Sequence, residues 1–74
     1  MMMDNFIPSI CEILEVDTIE LSDELESFEA WDSLAVLSII AFFDSDFGIE
    51  ISSDEIDNSG TILGLKQLLE SRIN

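Results

Sequence analysis

The chain has 74 residues, 47% of them hydrophobic, which allows one small domain with a thin core, residues 1–74, rather than a disordered segment. Its 17 Asp plus Glu against 2 Lys plus Arg give a formal net charge of −15; this excludes nucleic acid as a direct partner, disfavours an anionic membrane face and favours a basic protein partner. With no His, no Tyr and a single Cys, it lacks most side chains that move protons near neutral pH, so the composition argues against an enzyme.

No basic stretch precedes an apolar one at Met1 to Asn5, so no secretory signal is expected. The first helical period runs from about Phe6 to Glu15. Phe6, Ile10, Ile13 and Leu14 share one face, and Ser9, Glu12 and Glu15 share the other. Asn5 or Asp4 can cap its start, and Pro8 falls in the first turn, where its missing N–H does little harm. Cys11 can form neither an internal disulfide nor a multi-thiolate metal site, and reads as a small buried hydrophobe. Residues 17–31 hold no sustained period. They read as a long acidic loop pinned to the core by Ile19, Leu21, Leu25 and Phe28.

The second helix is the clearest. Asp32 is a good N-cap, an apolar pattern runs from Leu34 to Phe47, and Gly48 stands where a helix stops. Leu34, Leu37, Ile40 or Ala41, and Phe47 follow the helical spacing. Ala35, Val36, Ile39 and Phe42 make the other side apolar too, so this helix is either central in the core or offers an apolar face to a partner. Its longest apolar run, Leu34 to Phe43 interrupted by Ser38, is too short to span a bilayer, and a soluble cytoplasmic protein is expected. Ile49-Glu50-Ile51 alternates like a strand but has nothing to pair with, and reads as an extended link. Ser52 or Ser53 caps a short helix through Ile56, and Asn58-Ser59-Gly60 breaks the chain. Thr61 caps a last helix with Ile62, Leu65, Leu68, Leu69 and Ile73 facing inward. Lys66 and Arg72 both lie on this helix, while Met1 to Leu65 holds 16 of the 17 acids and no base. The predicted fold is all-α: three main helices plus one short helix around a single core.

Ser33 fails as a catalytic nucleophile, because no His exists to take its proton. The many carboxylates allow acid–base pairs by count alone, but a solvated acidic surface accounts for them. Asp44, Asp46, Gly48, Glu50, Ser52 and Glu55 approach a twelve-residue calcium loop, yet Gly48 stands at position five and Ile49 at position six, where the turn needs glycine. No metal ligand set is therefore expected beyond loose association of divalent ions with clustered carboxylates. There remains Asp32-Ser33-Leu34. Alone it is an ordinary helix start; here it follows a long acidic loop and opens the most apolar helix.

At these residues the chain resembles the acyl carrier proteins, whose fold is a four-helix bundle. The likeness covers nearly the whole length: first helix, long loop, Asp32-Ser33-Leu34, a second helix running into Asp44-Ser45-Asp46-Phe47-Gly48-Ile49-Glu50-Ile51, a short third helix and a closing helix from Thr61. The resemblance implies that Ser33 bears a covalent 4'-phosphopantetheine arm holding an acyl chain as a thioester. It implies a monomer that shuttles acyl groups in fatty-acid or secondary-metabolite synthesis. Its partners would be a phosphopantetheinyl transferase, which supplies the base and metal that activate Ser33 and coenzyme A, and acyl-loading and condensing or transferase enzymes. An aminoacyl, peptidyl or polyketide cargo would use the same serine. An unmodified acidic helical interaction domain is the rival from another class.

The resemblance also implies that Asp32 is both cap and transferase contact. Leu34 belongs to the docking surface or to the core. Leu37, Ile40, Phe43 and Phe47 look like interior residues that part to admit an acyl chain. Fatty-acid carriers bear several acids along the outer face of the second helix, whereas this chain has Ala35, Ser38, Ile39 and Phe42, with acids only at Asp44 and Asp46. Trp31 stands where small residues are common. A specialised carrier is expected, whose partners recognise an apolar patch of Leu34, Ala35, Ser38, Ile39 and Phe42, rimmed by Asp32 and Asp44. Self-repulsion at this charge should weaken the fold at low salt, so the melting temperature should rise with added salt or divalent cations. A melting temperature insensitive to both would contradict that expectation.

Overall fold

The computed structural model describes residues 5–73. Among these residues are four α-helices, α1 (Phe6–Leu14), α2 (Ser33–Phe47), α3 (Ser53–Ser59) and α4 (Ile62–Ile73), with a short 3-10 turn at Leu25–Ser27 between the first two. No strand occurs among the described residues, and the all-α bundle expected from the periodicity is the fold observed.

The apolar face of α1 buries Phe6, Ile10, Cys11 and Leu14, while Ile13 is half-buried. Asn5 occupies the N-cap position but makes no side-chain capping bond, so that expected cap is absent; Asp4 lies outside the described residues. The helix ends without glycine. Glu15 takes a left-handed conformation at φ 61°, and Val16 N–H closes the end on the Cys11 carbonyl at 3.0 Å.

The long loop is tied down by backbone as well as side chains. Leu25 is buried, and Ile19 and Phe28 are half-buried, but Leu21 is 39% exposed and does not pin the loop as its apolarity suggested. Instead, the Leu21 carbonyl accepts from Leu63 N–H at 2.8 Å, the Asp23 carbonyl from Ile62 N–H at 3.0 Å, and Leu25 N–H donates to the Gly60 carbonyl at 3.0 Å. The bonds from Leu63 and Ile62, with Thr61 Oγ1 accepting from Gly64 N–H at 3.0 Å, satisfy the donors that the first turn of α4 leaves unpaired. Gly64 also lets the Ser59 carbonyl lie against that turn, where any Cβ would meet it at 2.0 Å.

Two apolar stripes compete on α2, and the one that wins is not the one the spacing favoured. Ala35, Val36, Ile39 and Phe43 face the core. Leu37, expected inside, is 59% exposed, and Ile40 and Phe47 are only half-buried. Conversely Ala35 and Ile39, expected on a docking face, are 5% and 0% exposed. The inward stripe runs i, i+4, i+8 from Ala35 and places small Ala35 and branched Val36 and Ile39 where α1 and α3 close in. The longer leucines are left at the rim. Phe42, half-buried, and Phe47 pack their rings against Phe43, with centroids 5.7 and 6.3 Å away and tilted or edge-on geometry.

Gly48, at φ 67°, ends α2 with its N–H on the Asp44 carbonyl at 2.9 Å. Ile49 and Ile51 then point into the core and Glu50 out, so the alternation marks an extended link. Ser52 and Glu55 form a reciprocal capping box that starts α3. Glu55 also pairs with Arg72, which ties α3 to the end of α4. Ile56, Ile62, Leu65 and Leu69 complete a single cluster with the buried faces of α1 and α2.

Replacing Ile39 by Ala should leave a cavity in this cluster and lower unfolding stability by about 2–5 kcal/mol. Leu37→Ala, at the exposed rim, should change it by no more than about 0.5 kcal/mol. Urea unfolding of both variants decides the matter; equal losses would contradict the burial assigned to the two stripes.

Candidate functional site

Asp32 is extended (φ −152°, ψ −173°), and its Oδ1 accepts the Ala35 N–H at 3.0 Å, while its carbonyl accepts Val36 N–H at 3.1 Å. That pair of bonds begins α2 with Ser33 as its first residue. The backbone N–H groups of Ser33 and Leu34 precede the first intrahelical bond and remain at the positive end of the helix dipole. The Ser33 side chain is exposed and makes no hydrogen bond within the described residues.

The surroundings of Ser33 are of two kinds. On one side, Trp31, Val36 and Leu37 with Ser53 and Asp57 of α3 wall a groove of about 500 Å³ that includes Ser33 itself. On the other, Leu34, Ala35 and Ser38 line a groove against Ile13, Val16 and Phe28, rimmed by Glu15 and Glu29. Leu34 is 71% exposed, which overturns its core reading.

The expected site residues therefore divide. Asp32, Ser33, Leu34, Ser38 and Asp44 are exposed, and Phe42 is half-buried over the Ser9 and Ser45 groove. Ala35 and Ile39 are removed from the surface by burial, whereas Leu37 joins it. Phe43 is the one fully buried member of the expected interior set Leu37, Ile40, Phe43 and Phe47. In the sequence Ser53 stood out only as a possible helix cap, and Asp57 not at all. Only their i, i+4 spacing on the short helix could have paired them, and nothing local aims that face at Ser33. No cluster of three or more His, Cys, Asp or Glu among the described residues could hold a metal ion. In the near-calcium segment, Asp44 and Asp46 are still on α2, and Ile49 and Ile51 turn inward.

Chemically, this is a serine hydroxyl presented at a helix tip with no base hydrogen-bonded to it among the described residues, the nearby carboxylates being Asp32 and Asp57. It suits modification by another protein better than catalysis. The fit to a phosphodiester is direct: the oxygen is free, the adjacent N–H groups are uncommitted, and the neighbouring carboxylate of Asp32 is already engaged by the helix. No helix among the described residues is long and apolar enough to cross a membrane.

A family model for the phosphopantetheine attachment site matches residues 7–69. Comparisons with curated proteins and with solved structures gave no match. The matched stretch takes in the core-facing residues of α1 from Ile10 onward, the loop, the Asp32-Ser33-Leu34 helix start, α3 and α4 as far as Leu69. Proteins of this family carry a covalently attached 4'-phosphopantetheine group and work with phosphopantetheinyl transferases and synthase enzymes. With α2, α3, most of α1 and α4 and the free serine inside that match, the chain belongs to the phosphopantetheine attachment family and is a carrier of the acyl carrier protein type.

Proposed function

We propose that Ser33 is the attachment point of the 4'-phosphopantetheine arm. On this reading the chain shuttles thioester-bound acyl groups between partner enzymes of fatty-acid or secondary-metabolite synthesis and performs no catalysis of its own. The observation that carries it is the exposed, unbonded hydroxyl of Ser33 at the tip of α2, in the matched segment. When bound, the arm supplies a terminal thiol on which an acyl group is held. Cys11 offers no substitute, because it is buried on the inner face of α1.

The chain's own residues act by placement. Asp32 fixes where α2 begins, which turns Ser33 outward. The N–H groups of Ser33 and Leu34 face the side where a phosphate would sit and favour its charge. Beyond the serine, Leu34, Leu37, Ser38 and Ala41 form an exposed, uncharged stripe along α2, with Asp32 at its head and Asp44 at its foot. This stripe replaces Ala35 and Ile39 as the surface for the transferase and for loading and condensing enzymes. Apolar contact would provide its affinity, and the acidic rim would speed the encounter with a basic partner.

Incubation with coenzyme A and a phosphopantetheinyl transferase should raise the intact mass by one arm, and Ser33→Ala should abolish the gain. A wild-type mass that stays unchanged under conditions that load a control carrier would leave only an acidic interaction domain. For the docking stripe, Leu34→Ala should lower the transferase kcat/KM roughly fivefold or more, as loss of a central apolar contact does, with the fold intact by circular dichroism. Unaltered kcat/KM would place the contact elsewhere.

A further inference from the structure

The groove that Leu34 and Ser38 line against Ile13, Val16 and Phe28 does not end there. Ile13 and Ser38 also border a second depression, where Ser9 of α1 faces Ala41, Phe42 and Ser45 of α2. The two make one trough between α1 and α2, and no residue of α3 lines it. Along α2 it runs from Leu34 to Ser45, about 16 Å or three helical turns. Its charged residues are Glu12, Glu15, Glu29, Asp32 and Asp46, all exposed and all acids. Both cations of the chain lie on α4 and are engaged by Glu55 and Glu70.

We propose that this trough is a docking site for an amphipathic helix of another protein, one that turns an apolar face into the trough and carries Lys or Arg along both edges. Shape selects the helix. No strand occurs among the described residues, so the trough offers no sheet edge, and an extended segment laid in it would bury unpaired backbone groups; a helix satisfies its own. Charge selects the sequence. Five carboxylates without a cation among them repel an acidic segment, which disfavours a second copy of this chain, at a net charge of −15, and an anionic lipid surface alike. The apolar floor of Ile13, Val16, Phe28 and Leu34 supplies affinity, and the acidic rim fixes which helix is accepted. Ser9, Ile13 and Val16 extend the site onto α1, beyond the α2 stripe proposed for enzymes that act at Ser33, and the site requires no arm on that serine.

The full unmodified chain is titrated, at fixed ionic strength, into two fluorescent synthetic peptides of one composition. One is a helix of about five turns with leucines on one face and lysines and arginines at its edges; the other is scrambled so that no such face forms. Anisotropy should show the helical peptide binding roughly tenfold tighter or more than the scrambled one. The amide resonances of Ser9, Ile13, Ser38 and Ser45 should move while those of α3 stay. Glu12→Lys, on the rim, should weaken binding roughly threefold or more. Glu50→Lys, the same change of charge on the exposed link between α2 and α3, should have little effect. Equal losses in the two variants, equal affinity for the scrambled peptide, shifts confined to α3, or no binding at millimolar chain would each overturn the proposal. Shifts of the trough residues that grow with chain concentration before peptide is added would assign the trough to a second copy and overturn it too. Mass gain at Ser33 is measured separately, so failure of the trough leaves the attachment standing, and failure of the attachment leaves the trough.

Discussion

The whole site depends on where α2 begins, and one carboxylate decides that. The Asp32 Oδ1 bond to Ala35 N–H and the carbonyl bond to Val36 N–H make position 33 the first helical residue. A capping bond of this kind contributes about 1 kcal/mol, a modest energy for so large a positional effect. Each residue of an α-helix turns the side-chain direction by about 100°. With the inward face of α2 held by its buried stripe, a start displaced by one residue would leave Ser33 before the helix or inside its first turn. The cap therefore sets the register that stands the serine at the helix tip, while packing decides which way that tip faces.

That register would be useless if α3 were not held beside the head of α2, and several weak links hold it there. The Ser52–Glu55 capping box starts α3, and Glu55 also engages Arg72 at the far end of α4. Both partners of that ion pair are partly exposed, so it orients more than it stabilises. The Ser59 carbonyl folds back on Gly64, and the loop carbonyls of Leu21 and Asp23 fill the donors of α4. A seven-residue helix cannot support itself in water, and the side chain of Ile56, fully buried, is its main anchor. The wall that Ser53 and Asp57 make beside Ser33 thus rests on contacts from the loop, α2 and α4 together.

How far the sequence disclosed this follows from the range over which each cause acts. Asp32, Gly48, Ser52 and Thr61 act within a few residues, and helix starts and ends were legible there. The end of α1 near Glu15 followed from the period, but its left-handed conformation did not, because glycine usually marks that conformation. The number and order of helices followed from apolar period. The inward face of α2 did not, since both stripes are apolar and the choice between Ala35–Ile39 and Leu34–Leu37 is made by α1 and α3. Ser33 and Asp32 were legible as a candidate site because their chemistry is local. The Ser53–Asp57 wall was not, because it reaches Ser33 only through the tertiary placement of α3. The tether of the loop to α4 was invisible for a similar reason: it runs through backbone groups, which every residue has.

Charge supplies the remaining constraint. No polar or charged side chain among the described residues is buried, so the net charge costs self-repulsion rather than desolvation. Both cations are committed within α3 and α4, Arg72 to Glu55 and Lys66 to Glu70 at 3.8 Å. The head of α2 thus stands in the uncompensated field of Asp32, Glu15 and Glu29. A phosphodiester on Ser33 would add to that field, and only the uncommitted helix N–H groups oppose the added repulsion locally. An approaching protein with basic groups relieves the same repulsion from outside. The uncharged stripe of Leu34, Leu37, Ser38 and Ala41 then lets it close without having to desolvate a carboxylate at the centre of the contact. On the function proposed for the chain, the acids would draw a partner in from the rim, and the neutral middle of the stripe would seat it.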